Sequence, residues 1–290
     1  MFSGRMATMR VLDSHLHLWD PAVLDYDWLD GRLRNRFGPE ALAAERAAAP
    51  GAEIRGALFV EADAAPHQSL LEVDWVADVR VAAGIRGIVA RAALERGDRV
   101  QDELDALADR PLVVGVRRLI QSEPAGFATS RAYLAGAQQV SRAGLTFDAG
   151  IRWTQLTDVI ALADASPDLD IVLNHLGKPP IGTPAAPADP SGSSWLAGIR
   201  DLAKRPRTWC KVSGLPAESP DGWTPEQVVP FLDAALDAFG PDRLLFGSDW
   251  PVSSSYGRWL ATVAAWAEDR VGDRADDILC TNGERVYRLA

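Results

Sequence analysis

Residues 10–21 read RVLDSHLHLWDP, and the way this stretch ends decides the fold. Its apolar, β-branched start predicts a strand over 10–16. In a doubly wound nucleotide-binding sheet, the first strand opens onto a Gly-rich phosphate turn. Here it runs instead into His-Leu-His-Leu-Trp-Asp-Pro, and no GxGxxG follows any strand. Further strands are expected over 57–61, 85–91, 112–117, 145–149, 170–175, 208–213 and 243–248. Helical patterns lie between them, near 66–83, 99–109, 129–143, 154–165, 194–204, 224–239 and 256–270, with a last helix over 275–287. Continuous apolar strands are what a parallel sheet covered on both faces requires. Eight of them, each followed by a helix, predict an α/β fold, a (β/α)8 TIM barrel. Thr224-Pro225-Glu226-Gln227 places an N-cap, a first-turn proline and a box-closing glutamine in order. Ser194 and Thr129 are the caps expected for two other helices.

The chain has 290 residues, 47% of them apolar, and a formal charge of −10. Barrels of this size form one domain. Residues 10–290 are expected to be a single barrel domain behind a flexible leader, residues 1–9, which holds Met1, Met6 and Met9, any of which could be the start. The acidic balance argues against nucleic acid and anionic membrane as partners. No apolar run approaches the ~20 residues of a membrane span, and the leader lacks the apolar stretch of a signal peptide. Cys210 and Cys280 are isolated, which argues against a zinc knuckle and a disulfide framework and fits a reduced, cytoplasmic setting. Nothing in the pattern fixes an oligomeric state.

Only four histidines occur. His15, His17 and His175 fall at or just past the C-terminal ends of expected strands, as does Asp249 at the end of LLFGSD. In a barrel those ends converge on one mouth. Strand side chains alternate, so His15 and His17 project to one face and Leu16 to the other. Two imidazoles so spaced can share a metal ion or bind one substrate oxygen; the plain alternative is a pair of satisfied interior histidines. His175 closes IVLNH, and its alternative is a core histidine bonded to backbone. A carboxylate after an apolar run is expensive to bury unless it is paired or does chemistry. Asp249 is therefore a site candidate, with a helix N-cap as the alternative.

These residues resemble a known family. VLDSHLHLWDP with YDWL, the NHLGKP segment, the CKVSG strand and the GSDWP strand are similar, in order and from about residue 10 to 289, to the lactonase branch of the amidohydrolase superfamily. That branch includes L-fuconolactonase-like, rhamnonolactonase-like and 2-pyrone-4,6-dicarboxylate lactonase-like enzymes. The resemblance implies a distorted barrel of the amidohydrolase type and hydrolysis of a lactone by water at its C-terminal mouth. Binuclear members carry a bridging Lys or Glu on strand 4 and a His on strand 5. Here strand 4 ends Gly115-Val116-Arg117-Arg118, and strand 5 reads TFDAGIRW. The resemblance therefore implies one divalent metal, zinc by donor type, on His15, His17 and Asp249, or none.

Within this reading Asp249 is the expected general base and His175 the second catalytic residue, binding the carbonyl oxygen or a hydroxyl. No GxSxG occurs, so an acyl-serine route is not expected. Arg117, Glu61 and Lys178 are candidate substrate contacts; their alternatives are a rim salt bridge, an ion pair with a neighbouring arginine and a solvated charge. Lys211 is charged inside an apolar strand and must be paired or functional. Tyr26, Trp28 and Trp250 are assigned to substrate because aromatic faces suit a sugar ring. Trp19 and Trp153 lie nearby, and His67 is expected at the surface. The YDWL loop leans towards a neutral sugar lactone as the small-molecule substrate. A metal-dependent decarboxylase of the same superfamily and a non-catalytic binding or scaffold barrel are the alternatives.

Overall fold

The structure, a computed structural model, describes residues 9–49, 51–183, 189–220, 222–253 and 256–289. One eight-stranded parallel sheet runs in sequence order: β1 (Met9–Leu16), β2 (Ala52–Val60), β3 (Ile85–Arg91), β4 (Val113–Leu119), β5 (Thr146–Gly150), β6 (Ile171–Leu173), β7 (Thr208–Val212) and β8 (Leu244–Phe246). The α-helices are α1 (Pro39–Ala47), α2 (Ser69–Ala83), α3 (Gln101–Ala108), α4 (Arg131–Arg142), α5 (Leu156–Ala165), α6 (Ser194–Leu202), α7 (Leu215–Glu218), α8 (Pro225–Phe239), α9 (Tyr256–Val271) and α10 (Asn282–Val286). The expected barrel is present.

Its distortion lies in register shifts along the β1–β2, β2–β3 and β3–β4 pairs and at the seam between β8 and β1. Seven neighbouring pairs form parallel ladders. The eighth junction is held past the end of β8. The Asp249 N–H donates to the His15 carbonyl at 2.8 Å, and the His17 N–H to the Trp250 carbonyl at 2.9 Å. Beneath them the buried Asp13 carboxylate accepts from the Ser248 N–H at 2.8 Å and the Ser248 hydroxyl at 2.6 Å. The barrel is therefore closed by the residues that flank the candidate site.

The strands read as unbroken apolar runs because both of their faces are buried. Leu58, Val60, Val89, Val172 and Leu245 fill the barrel, and Val286 and Tyr287 plug its lower end. A larger apolar layer packs strands against helices. Burial of this kind, at roughly 25 cal/mol per Å² of apolar surface, is the main force holding the wall of helices on the sheet.

Several boundaries differ from expectation for local reasons. β2 starts at Ala52 rather than 57, because Glu53 and Arg55 point outward on the exposed lower rim of the strand. β6 stops at Leu173, since the chain turns tightly through Asn174–Gly177. The segment after β1 contains a helix, α1, opened by Pro39. The last helix is broken by a π-turn at Asp277–Thr281. The capping box of α8 is formed, with Gln227 Oε1 accepting from the Thr224 N–H at 2.8 Å. Elsewhere the caps fall one residue away from expectation, on Ser193 and Ser130. The expected leader, apart from Met9, lies outside the described residues, as do residues 184–188 of the Pro-rich segment after β6.

Candidate active site

Local sequence fixes each imidazole on a strand end. His15 lies on β1 and His17 just beyond it, both buried. His175 sits in the tight turn after β6 with φ +53°, and Asp249 follows β8 with φ +55°. Among the described residues, five of the six non-glycine positions with positive φ are Asp63, His175, Leu176, Lys178 and Asp249, all at the mouth. Such backbone costs of order 1–3 kcal/mol per residue and persists only where the surroundings impose it. Two glycines make room for the rings. A Cβ at Gly247 would lie 2.6 Å from His15 Cβ, and one at Gly214, where φ is +71°, would overlap the His175 ring.

These residues converge on one carboxylate oxygen. Asp249 Oδ1 lies 3.5 Å from His17 Nε2, 3.6 Å from His175 Nε2 and 3.8 Å from His15 Nε2. The His15 and His17 imidazoles meet Nε2 to Nε2 at 3.1 Å. Ser253 donates to Asp249 Oδ2 at 2.8 Å. Burial alone would raise the Asp249 carboxyl; the neighbouring imidazoles, His175 first, and the Ser253 hydroxyl outweigh it and hold it below the usual carboxylate range. Burial lowers His175 to about 3, so its ring is neutral near pH 7. Burial, then Lys211, also keeps His15 neutral.

The donor set suits one divalent cation. The ligand atoms of His15, His175 and Asp249 lie mutually within 4.8 Å, and His17 Nε2 is closer still to His15 and Asp249. Zinc bonds of about 2.0–2.1 Å in a tetrahedron put neighbouring ligand atoms roughly 3.3–3.4 Å apart, close to these spacings. His17 also has the support usual for a ligand, since its Nδ1 lies 2.8 Å from the Val60 carbonyl. His15 does not: its Nδ1 faces Lys211 Nζ at 3.3 Å.

The expected pairing of Lys211 is with Asp148, at 2.6 Å, both fully buried. Tyr287 donates to the other Asp148 oxygen at 2.7 Å, and Asn174 Nδ2 to Oδ2 at 2.9 Å. This layer was hidden in the sequence, because Asp148, Asn174 and Tyr287 come from β5, the turn after β6 and the chain's end.

Above the imidazoles opens a cavity of about 240 Å³, lined among others by His17, Trp28, Arg117, His175, Lys178 and Asp249. Arg117 spends Nε on Glu61 Oε1 at 2.6 Å and Nη2 on the Glu61 carbonyl. Glu61 is thus the arginine's buried partner, standing behind the lining. Lys178 Nζ donates to Gln121 Oε1 at 2.6 Å and lies 3.7 Å from Glu218. Trp28 presents a partly exposed ring, its indole N–H bonded to the Ala62 carbonyl at 2.7 Å. Tyr26 and Trp250, assigned to substrate from sequence, are buried and absent from the lining. Trp250 packs edge-on against Phe37. Trp19 is also core, Trp153 is half-buried against it, and His67 is exposed. Sequence reasoning missed Asp63, Gln121 and Glu218, which also line the cavity. Their only signal is position, shortly after β2, β4 and β7.

Comparison with known proteins gives the family. The amidohydrolase family model matches residues 12–289. The L-fucono-1,5-lactonase of Burkholderia multivorans (strain ATCC 17616 / 249) is 32% identical over 288 residues, covering 92% of this chain and 91% of that protein. The L-fucono-1,5-lactonase of Burkholderia ambifaria is 30% identical over 292 residues, covering 96% and 95%. The crystal structure of a Burkholderia multivorans amidohydrolase with bound zinc is 29% identical, with a TM-score of 0.83 over 97% of this chain and 99% of that one.

Proposed function

The chain belongs to the amidohydrolase family and is a hydrolase of ester bonds, and we propose that it opens a neutral sugar aldono-lactone with water activated by Asp249. The observation that carries this reading is the carboxylate on the cavity floor, ringed at 3.5–3.8 Å by three imidazoles. An ionised carboxylate in that position is placed to accept a proton from a water on the cavity floor.

The proton balance is simple. Water attacks the lactone carbonyl carbon while Asp249 Oδ1 takes its proton. The carbonyl electrons move to oxygen, where the His175 edge and Arg117 Nη1, the guanidinium nitrogen not spent on Glu61, stabilise the charge. Collapse breaks the ring C–O bond, and Asp249 returns the proton to the leaving oxygen. A divalent cation held by Asp249 and the imidazoles would add polarisation of the carbonyl.

The lining argues for a neutral substrate. Its two cations are already paired, Arg117 with Glu61 and Lys178 with Glu218. Three carboxylates, Asp63, Glu218 and Asp249, also line it. A second carboxylate on the substrate would find no unpaired cation, whereas sugar hydroxyls can donate to Asp63 and Glu218 and accept from Lys178 and Arg117. Among the described residues no helix is long and apolar enough to cross a membrane. The test is a panel of neutral aldono-1,4- and 1,5-lactones, dicarboxylated lactones and hydroxybenzoates, read by acid or CO2 release. Acid release from neutral lactones above all others is expected. Preference for a dicarboxylated lactone sinks the substrate class, and CO2 release alone sinks the hydrolase reading.

A further inference from the structure

The contacts of His15 carry a consequence for metal binding. Lys211 Nζ is fully buried and lies 2.6 Å from Asp148 Oδ2, 3.3 Å from His15 Nδ1 and 5.3 Å from the Tyr287 ring centroid. All three are electron-rich, as an ammonium requires. Asp148 is held in place for this contact by Tyr287 and Asn174. An ammonium only donates, so His15 Nδ1 must present its lone pair, and the ring proton sits on Nε2. At the other end of the pair, His17 Nδ1 lies 2.8 Å from the Val60 carbonyl, which only accepts. His17 therefore carries its proton on Nδ1 and a lone pair on Nε2. The 3.1 Å contact between the two Nε2 atoms then has one donor, His15, and one acceptor, His17. The polarity from Asp148 through Lys211, His15 and His17 to Val60 then alternates donor and acceptor, and it leaves the His17 Nε2 lone pair facing Asp249 Oδ1 at 3.5 Å with no proton between them.

From this we infer that Lys211 is a positioning residue: it fixes the Nε2–H tautomer of His15 and makes that ring a hydrogen-bond donor to His17 instead of a metal ligand. A ligating histidine ordinarily gives its other N–H to a carboxylate or carbonyl. His17 has that arrangement and His15 has the reverse. A cation approaching His15 Nε2 meets a proton there, and relocating it to Nδ1 brings it against the ammonium. Lys211 thus weakens binding at a donor set whose spacing would otherwise favour it.

Two measurements test this, and neither reads turnover, so the outcome is separate from that of the lactone reading. With four histidines in the chain, 15N-histidine labelling yields four imidazoles in a long-range 1H–15N spectrum. In metal-free protein His15 is expected as the Nε2–H tautomer and His17 as Nδ1–H; His15 found as Nδ1–H overturns the proposal. The second measurement is zinc affinity by competition with a chromophoric chelator. Lys211→Met combined with Asp148→Asn removes the ammonium and its counter-ion together. Its zinc dissociation constant is expected to fall on the order of tenfold or more, the lower end of what outer contacts of a ligating histidine change. A purely structural role for Lys211 would loosen the site and weaken zinc binding, so an unchanged or weaker affinity overturns the proposal. Should that variant not fold, the wild-type spectrum decides alone.

Discussion

Asp249 and Glu218 are both carboxylates of the same cavity, yet they are held in different ways. Asp249 is buried and over-determined. Its N–H is tied across the barrel seam to the His15 carbonyl, its Oδ2 to Ser253, and three imidazoles stand around its Oδ1. Glu218 ends the four-residue helix α7, is part-exposed, and faces Lys178 at 3.7 Å, beyond hydrogen-bond reach. The floor is built by strand ends that the closed sheet cannot move, and the rim by short loops that it can. Chemistry should therefore reside in the floor and selectivity in the rim, and variants of the two regions should separate in kcat and KM.

The largest effect is expected from Asp249→Asn. The swap keeps shape and most hydrogen bonding but removes the proton acceptor. Steady-state kinetics on a lactone that wild type hydrolyses should show kcat down by about 10²–10⁴, with KM and the circular dichroism spectrum little changed. Near-normal kcat would remove Asp249 from the role of base while leaving the family untouched.

Next comes Gly214→Ala, which attacks the floor from behind. The new Cβ overlaps the His175 ring, and φ +71° disfavours any L side chain. Displacing His175 by about 1 Å is expected to lower kcat/KM on the order of 10²-fold. The left-handed strain adds a loss of roughly 1–2 kcal/mol, readable as a lower melting temperature. A variant with wild-type rate would mean that His175 contributes little.

The same contrast explains what could be read from the sequence. His15, His17, His175 and Asp249 were legible because each follows an apolar strand, and parallel strands bring their ends together without further information. An ion pair of Glu61 with some arginine and a rim salt bridge of Arg117 were each legible as alternatives, since both were expected at strand ends; that the two pair with each other was not. Asp148 and Lys211 were not paired in advance, because β5 and β7 are two strands apart and the register between them is a property of the closed barrel. Tyr26 and Trp250 were assigned to substrate on residue type, but a ring near a mouth can equally turn inward, as Trp250 does onto Phe37. Glu218 and Gln121 carry no pattern at all, because rim residues answer to the substrate and not to the periodicity of strand or helix.

Glu218→Gln probes that rim. It keeps the size of the side chain and removes its charge, leaving Lys178 with Gln121. For a neutral lactone, KM should rise about three- to tenfold, the loss of one part-exposed hydrogen bond worth ~1 kcal/mol, while kcat stays within about twofold. For a lactone bearing an extra carboxylate, KM should fall, since Lys178 is released. A matching drop in kcat for both would place Glu218 with the floor and erase the distinction.

The smallest effect is expected behind the rim, at Glu72 on α2. This carboxyl is buried, and its Oε1 accepts from the Ala62 N–H at 3.1 Å. Burial, and then the neighbouring Glu61, push it up to about 8. Folded protein therefore keeps Glu72 protonated at neutral pH, while the unfolded chain ionises it near 4.5. Between those values the folded state binds more protons than the unfolded one, so this group's contribution to stability is present below about pH 4.5 and is lost as pH rises towards 8. Glu72→Gln retains an acceptor for Ala62 and has nothing to titrate. Calorimetric melting from pH 5 to 8 should show wild type losing ground to the variant as pH rises, each 1 kcal/mol moving the midpoint by roughly 2–4 °C in a chain of this size. The kinetic constants should stay near wild type, because Glu72 does not line the cavity and its hydrogen bond runs to the Ala62 backbone, whose carbonyl holds the Trp28 indole. Parallel melting curves would mean that Glu72 is ionised in the folded state. The Arg117–Glu61 pair would then be balancing two buried carboxylates, and the rim would be held as firmly as the floor.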